Sequence, residues 1–365
     1  MKKHLIAAAV AAAVAVPAAA QVTISGTVEA GYTSKDVRAV DSTTTNTKQS
    51  AITGGHVGTP NVMFSGTEDL GGGLKASFTL NREFSMTTGL DSTTGFNNAF
   101  IGLSGGFGTV QLGKLNHATR DAGGVYRFFG DIGRLAGSMN SASDRENSIQ
   151  YISPTINGFT VSIANSDIDK TVAAGADTNT PPTSLTSYGL RGSLGVVNLS
   201  LGRETNKFAG AVGAGQAEFD LDTLGASVDL KVARVGLVLA KQDLSLVGGA
   251  DGGSRDATGF HVAVPMGGAL TLGGSLTNYK VSTAAGGAKP EADITTIAAR
   301  YSLSKRTSLF ASYQSVKNSG AADALAAAAA GGINAGAAGS SRGLGVVETT
   351  NETASGMGLT VIHTF

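Results

Sequence analysis

The chain has no cysteine and no tryptophan among its 365 residues. Without thiols it has no disulfide framework, no thiol nucleophile and no zinc site built on thiolates. Charge is scarce as well. Asp, Glu, Lys and Arg make up 15% of the residues, against about 25% in an average soluble domain. The 27 basic and 27 acidic side chains cancel, so the basic excess of a nucleic-acid binder is missing and no nucleic-acid partner is expected. Long apolar runs are missing too. The uncharged stretch 5–16 falls short of the roughly 20 residues of a spanning helix. The Ala-rich stretch 321–338 is broken by Asp323, Gly331, Gly332, Asn334 and Gly336 and reads as a low-complexity loop.

The apolar stretch at 5–16 follows Lys2 and Lys3 and runs into Pro17, Ala18, Ala19 and Ala20. A short positive region, an apolar core and an Ala-x-Ala end make a secretory signal peptide. Residues 1–20 are therefore expected to be removed, leaving residues 21–365 as one exported domain with a formal charge of −2.

Glycine is plentiful, with 52 residues, and so is alternation with a period of two. Val22, Ile24, Gly26, Val28, Ala30 and Tyr32 share one face of the first exported segment, opposite Thr23, Ser25, Thr27 and Glu29. Met357, Leu359, Val361, His363 and Phe365 share a face of the last. Similar runs recur at Leu74–Leu80, Phe159–Ile163, Val197–Leu201, Phe260–Val264 and Ile297–Leu303. Their connections alternate in length. Seven short turns fall near residues 69–73, 105–108, 154–158, 193–195, 230–234, 267–268 and 304–306. Eight longer polar stretches fall near 34–60, 83–97, 115–146, 165–185, 203–220, 242–256, 280–292 and 317–353. Fifteen connections join sixteen strands. Short turns at one end and long loops at the other predict an all-β, 16-stranded antiparallel transmembrane β-barrel. A soluble sandwich also alternates, but its second face meets bulk water, whereas here that face is read as Gly, Ser and Thr, suited to a wet lumen.

Five stretches resemble the Gram-negative general porins of the β-proteobacterial and neisserial type. They are Phe64-Ser65-Gly66-Thr67-Glu68-Asp69-Leu70-Gly71-Gly72-Gly73-Leu74, Gly102-Leu103-Ser104-Gly105-Gly106-Phe107-Gly108, Asn147-Ser148-Ile149-Gln150-Tyr151 with Pro154 and Gly158-Phe159, Tyr301-Ser302-Leu303-Ser304-Lys305-Arg306-Thr307, and the carboxy-terminal Phe365. They occur in family order from one end of the chain to the other. The resemblance implies an outer-membrane homotrimer whose loop 3 folds into the lumen. It also implies passive diffusion of small hydrophilic solutes and ions, contact with outer-membrane lipids, and Phe365 as the barrel-assembly signal. An even strand number would place both termini in the periplasm. Sixteen strands also leave room for an aqueous channel on physical grounds.

Loop 3 is expected at 115–146, where Arg120, Asp121, Arg127, Asp131, Arg134, Asp144, Arg145 and Glu146 give four charges of each sign. By resemblance, Lys114 and Arg145 are wall cations, while Asn61 and Thr27 stand where related porins often carry Arg or Lys. Asp121 and Asp131 are the acidic candidates, with Arg120, Arg127 and Arg134 as further constriction candidates. The expected selectivity is mild, because exposed charges beyond about 8 Å are screened at physiological salt.

Two other functions were weighed. A surface adhesin would use the long loops, with conductance incidental. A hydrolase would need a nucleophile and a base, but no Gly-x-Ser-x-Gly or His-Glu-x-x-His occurs. His261 falls on the inward face and His363 on the outward face with Phe365. Residues 108–114 nearly spell a phosphate-binding loop, but Leu115 replaces the required Ser or Thr. No cofactor or metal and no enzymatic activity are expected.

Overall fold

The computed structural model describes residues 21–39, 47–91, 95–120, 125, 127–130, 145–167, 184–208, 217–245, 251–282, 291–319 and 352–365. The expected signal peptide lies outside these residues. The first half of the sheet comprises β1 (Gln21–Ala39), β2 (Thr47–Thr53), β3 (Asn61–Gly71), β4 (Leu74–Glu83), β5 (Asn98–Gly105), β6 (Gly108–Leu115), β7 (Arg145–Ile152) and β8 (Phe159–Asp167). Then follow β9 (Ser184–Leu194), β10 (Val197–Phe208), β11 (Ala217–Asp229), β12 (Arg234–Ser245), β13 (Asp251–Pro265), β14 (Leu270–Ser282), β15 (Glu291–Ser302), β16 (Thr307–Ser319) and β17 (Glu352–Thr364).

Every pairing is antiparallel, and β1 pairs with β17, which closes the sheet on itself and removes its edges. Seventeen segments fill sixteen barrel positions. The first half of β1 pairs with β3, Thr27 opposite Asn61, and the second half pairs with β2, Gly31 opposite Thr53. β2 and β3 are thus two halves of one barrel strand, parted by residues 54–60. All seven short turns are present between the expected hairpin strands.

The outer face is apolar where lipid would lie. Ile24, Ile101, Leu112, Leu237, Phe260, Ile297 and Leu359 are exposed there, with Tyr151, Tyr188, Tyr301 and Tyr313 among them as girdle residues. Above this band the strands continue into stretches expected to be loops. Arg203, Asp222, Lys241, Asp256, Lys280 and Glu291 face one another in register across β10–β15, with signs alternating. Arg203 and Asp222 approach to 2.9 Å and Lys280 and Glu291 to 3.7 Å. Opposite charges on directly paired residues hold a ladder together, yet they erase the apolar alternation that marks a strand in sequence.

Phe365 completes the closure. Its amide donates to the Gly26 carbonyl and its carbonyl accepts from the Gly26 amide, both at 3.1 Å. Its ring lies where a Gly26 side chain would be, 2.8 Å from an ideal Cβ. The small size of Gly26 is therefore used within the chain.

Candidate functional site

The inner wall is set by register. Residues that alternate with the exposed apolar set point inward: Ser77 and Thr79 on β4, Gln111 on β6, Ser148 and Gln150 on β7, Ser187 on β9 and Ser200 on β10. Thr27 and Asn61, where cations were missed in the sequence, face each other on this side. Near the short turns the inward face is basic and open. Arg191 on β9, Arg234 on β12 and Arg300 on β15 are exposed there. Asp229 faces Arg234 at 3.7 Å.

The opposite sector departs from a small, polar inner face. Leu221, Val238, Ala240, Ala257, Tyr279, Ala292, Ile294, Val316 and Ala354 point inward from β11–β17 and form one buried apolar cluster. Burial this deep means the cluster is packed, together with the equally buried Gln242, Arg255, Thr277 and Gln314 beside it.

The segment after β6 meets the wall at two places. Its start, a helical turn at 118–120, lies across β9 and β10. The Ala118 amide donates to Ser187 Oγ at 3.1 Å, and His117 Nε2 lies 3.2 Å from Ser148 Oγ. Two wall glycines make room for it. A Cβ on Gly189 would sit 2.7 Å from Ala118 Cβ, and one on Gly202 would sit 2.9 Å from Thr119 Cα. Farther along, Phe128 and Phe129 pack with Val57, Ala263, Ala298 and Phe310. Phe129 meets the Phe310 ring edge-on at 5.9 Å, and the Arg234 guanidinium stacks 4.6 Å over Phe128.

The expected constriction residues that are described lie on different elements. Arg120 ends the helical turn and Arg127 precedes the aromatic pair, both half-buried. Asp121, Asp131 and Arg134 lie outside the described residues. Arg145 opens β7 opposite Leu115. Lys114 continues the outward alternation of Val110 and Leu112, paired with Ala99, and shares an outer concavity with Glu146 and Ile149. The pore-wall position expected for Lys114 finds no support. A bulge at Gly113, whose φ is 137°, interrupts the register here.

Sequence reasoning missed Glu29, His56 and the three exposed arginines of the short-turn mouth. Glu29 was visible in principle, as the lone carboxylate on an inward face otherwise made of Thr and Ser at 23, 25 and 27. His261 does point inward, buried beside Gly259, and His363 points outward, Nδ1 2.9 Å from Thr307 Oγ1. Among the described residues two Ser–His pairs occur, His56 with Ser312 and His117 with Ser148. Both serines are buried under packed rings or turns, a poor setting for a nucleophile that must meet substrate.

These features define a closed transmembrane β-barrel with a partly polar, partly packed interior. Residues 7–321 match the family described as Gram-negative porin, so the chain belongs to that family and to the outer membrane in which its members sit. It is 35% identical over 185 residues to the major outer membrane protein P.IB of Neisseria lactamica, covering 48% of this chain and 52% of that protein. It is 36% identical over 172 residues to its counterpart in Neisseria gonorrhoeae, covering 45% and 47%. The chain thus spans about half the length of the curated relatives it matches. In shape it is similar to the anion-selective porin of Comamonas acidovorans, with a TM-score of 0.75 at 24% identity, covering 95% of this chain and all of that one. It is also similar to the trimer form of OmpT from Vibrio cholerae, with a TM-score of 0.66 at 14% identity, covering 95% and 100%.

Proposed function

We propose that the barrel is a passive diffusion channel for small hydrophilic solutes and ions, with a mild preference for anions. The observation that carries this is the inner face near the short turns, where Arg191, Arg234 and Arg300 stand exposed inside a closed wall. Low-dielectric walls focus the field of such charges on a passing ion. The segment after β6 narrows the lumen in this reading, with Arg120, Arg127 and Arg145 as cations and Asp121, Asp131 and Arg134 completing the set. The kinship with porins also supports a homotrimer among outer-membrane lipids, periplasmic termini, cleavage after Ala20, and no enzymatic role.

Purified barrel in planar bilayers should give stepwise conductance increments. Sealed bilayers would defeat the channel reading and favour surface recognition through the long loops. Hydrolysis of lipid or peptide, lost on replacing His56 or His117, would favour an enzyme instead. In a salt gradient, Arg300→Glu should move the reversal potential towards cations. At about 8 Å in water a unit charge is worth about 0.5 kcal/mol, a factor of about two in ion occupancy. Lys114→Glu, on the outer side of β6, should move it little. Equal shifts for the two variants would return Lys114 to the pore wall.

A further inference from the structure

The break between β2 and β3 has no counterpart elsewhere in the described sheet. Residues 54–60 leave the wall while only residues 28–30 separate the paired positions on β1. Four more residues are spent than the ladder needs.

Glu29 lies on β1 within this gap and is 2% exposed. Its carboxylate accepts the Val57 amide at 3.0 Å and the Gly58 amide at 2.9 Å. A carboxylate this buried is tolerated only when hydrogen bonds replace its water, and charge-assisted bonds to amides are the strong kind. Two further contacts extend the excursion across the wall. The His56 ring lies over Gly358, where a Cβ would stand 2.4 Å from Nε2, and Nε2 reaches Ser312 Oγ on β16 at 2.8 Å. The same ring meets Phe310 edge-on at 6.3 Å.

Phe310 is also the ring that Phe129 meets edge-on. Gly130, with φ of 66°, comes so close to the excursion that a Cβ there would lie 2.9 Å from Val57 Cγ1. Contacts therefore run without a gap from the Glu29 carboxylate through His56 and Val57 to residues 127–130.

We propose that the excursion at 54–60 is a latch that holds residues 127–130 of the constriction segment against the wall, with Glu29 and His56 as its positioning residues. This rests on the channel reading above. A barrel needs no broken strand to close, and the excursion's buried side chains point to the segment's tip. When the latch is intact, the tip stays put and the open channel is quiet. When it is loosened, the tip leaves the wall intermittently and the current flickers between levels.

The test is single-channel recording of the full barrel in planar bilayers, with heat-modifiable migration on gels as the check on folding. His56→Ala removes one buried hydrogen bond and a ring contact, and should shift the docked-to-undocked ratio about five- to tenfold. It should appear as added substates and raised open-channel noise with the barrel intact. Glu29→Gln should act in the same direction, and Ser312→Ala supplies a milder step should either larger change impair folding. Gly130→Ala, whose methyl would collide with the Val57 carbonyl and whose φ of 66° disfavours any side chain, loosens the tip from its own side and should give the same substates. Wild-type noise in all four single variants would overturn the latch. A wild-type barrel that fails to conduct would overturn the channel reading first and the latch with it.

Discussion

The inner wall over β4–β10 and the inner wall over β11–β17 are built on opposite principles. In the first, Thr79, Gln111, Gln150 and Ser200 present short polar groups at successive inward positions. In the second, Val238, Tyr279, Ile294 and Val316 make a dry cluster on the same side of the sheet. Both sectors have the same outward apolar band. Depth of burial does not separate them, since Gln150 and Ser200 are as covered as Val238 and Tyr279; what differs is the chemistry of the covered side chains.

The comparison breaks most sharply with a charge placed in each sector. Ile294→Asp puts an unpaired carboxylate into the cluster and should cost about 4 kcal/mol, the range reserved for buried charge. Thr79→Asp, at a half-exposed inward position, should cost no more than about 1 kcal/mol. Urea titration of the folded barrel in detergent measures both, and equal losses would show that the two sectors are packed alike. A smaller effect tests where the segment after β6 rests. Gly202→Val pushes a side chain into Thr119 and should lower stability by about 2 kcal/mol, as overpacking does, while altering conductance steps. Unchanged steps would mean that the helical turn at 118–120 plays no part in permeation.

The smallest effect lies at the rim of the polar sector. Arg82 Nε donates to Asp91 Oδ1 at 2.8 Å, and a second nitrogen binds the other oxygen. Hydrogen bonding to the Arg82 guanidinium holds the Asp91 carboxyl below the usual carboxylate range. A folded-state pKa depressed in this way adds stability at neutral pH, and the gain is lost as pH falls through the depressed value. Asp91→Asn should therefore remove a slight acid sensitivity and leave conductance unchanged. An unfolding midpoint with the same pH profile in both proteins would show the pair to be inert, as many exposed ion pairs are.

Much of the architecture was legible in the residues. Five of the seven turns are marked by glycine or proline, and the succession of short turns and long loops gives the sixteen positions. Two things escaped for physical reasons. Beyond the apolar band β2 reads Thr47-Lys48-Gln49-Ser50, polar on both faces, so pairing there leaves no trace in hydrophobicity. In β12, Leu237, Val238, Leu239 and Ala240 are apolar on both faces, so alternation could not reveal a packed interior sector. The site was less legible still. Lys114 keeps the parity of Val110 and Leu112, and its expected wall role came from resemblance rather than from alternation. Glu29 and His56 act through backbone amides and a distant strand, partners that local spacing does not bring together.

The seam between β1 and β17 has a consequence for how the molecule is made. Thr27 pairs with Thr364 and Gly26 with Phe365, so widely separated parts of the chain share one seam. Contacts between opposite ends of a chain carry the heaviest loop-closure entropy and form slowly. Until they form, both boundary strands show unpaired amides and carbonyls, an invitation to join a neighbour's sheet. The nascent barrel thus passes through an open, adhesive stage that ends when the β1–β17 seam forms. A chain shortened by Phe365 should linger there, with aggregation rather than lost conductance as its first symptom.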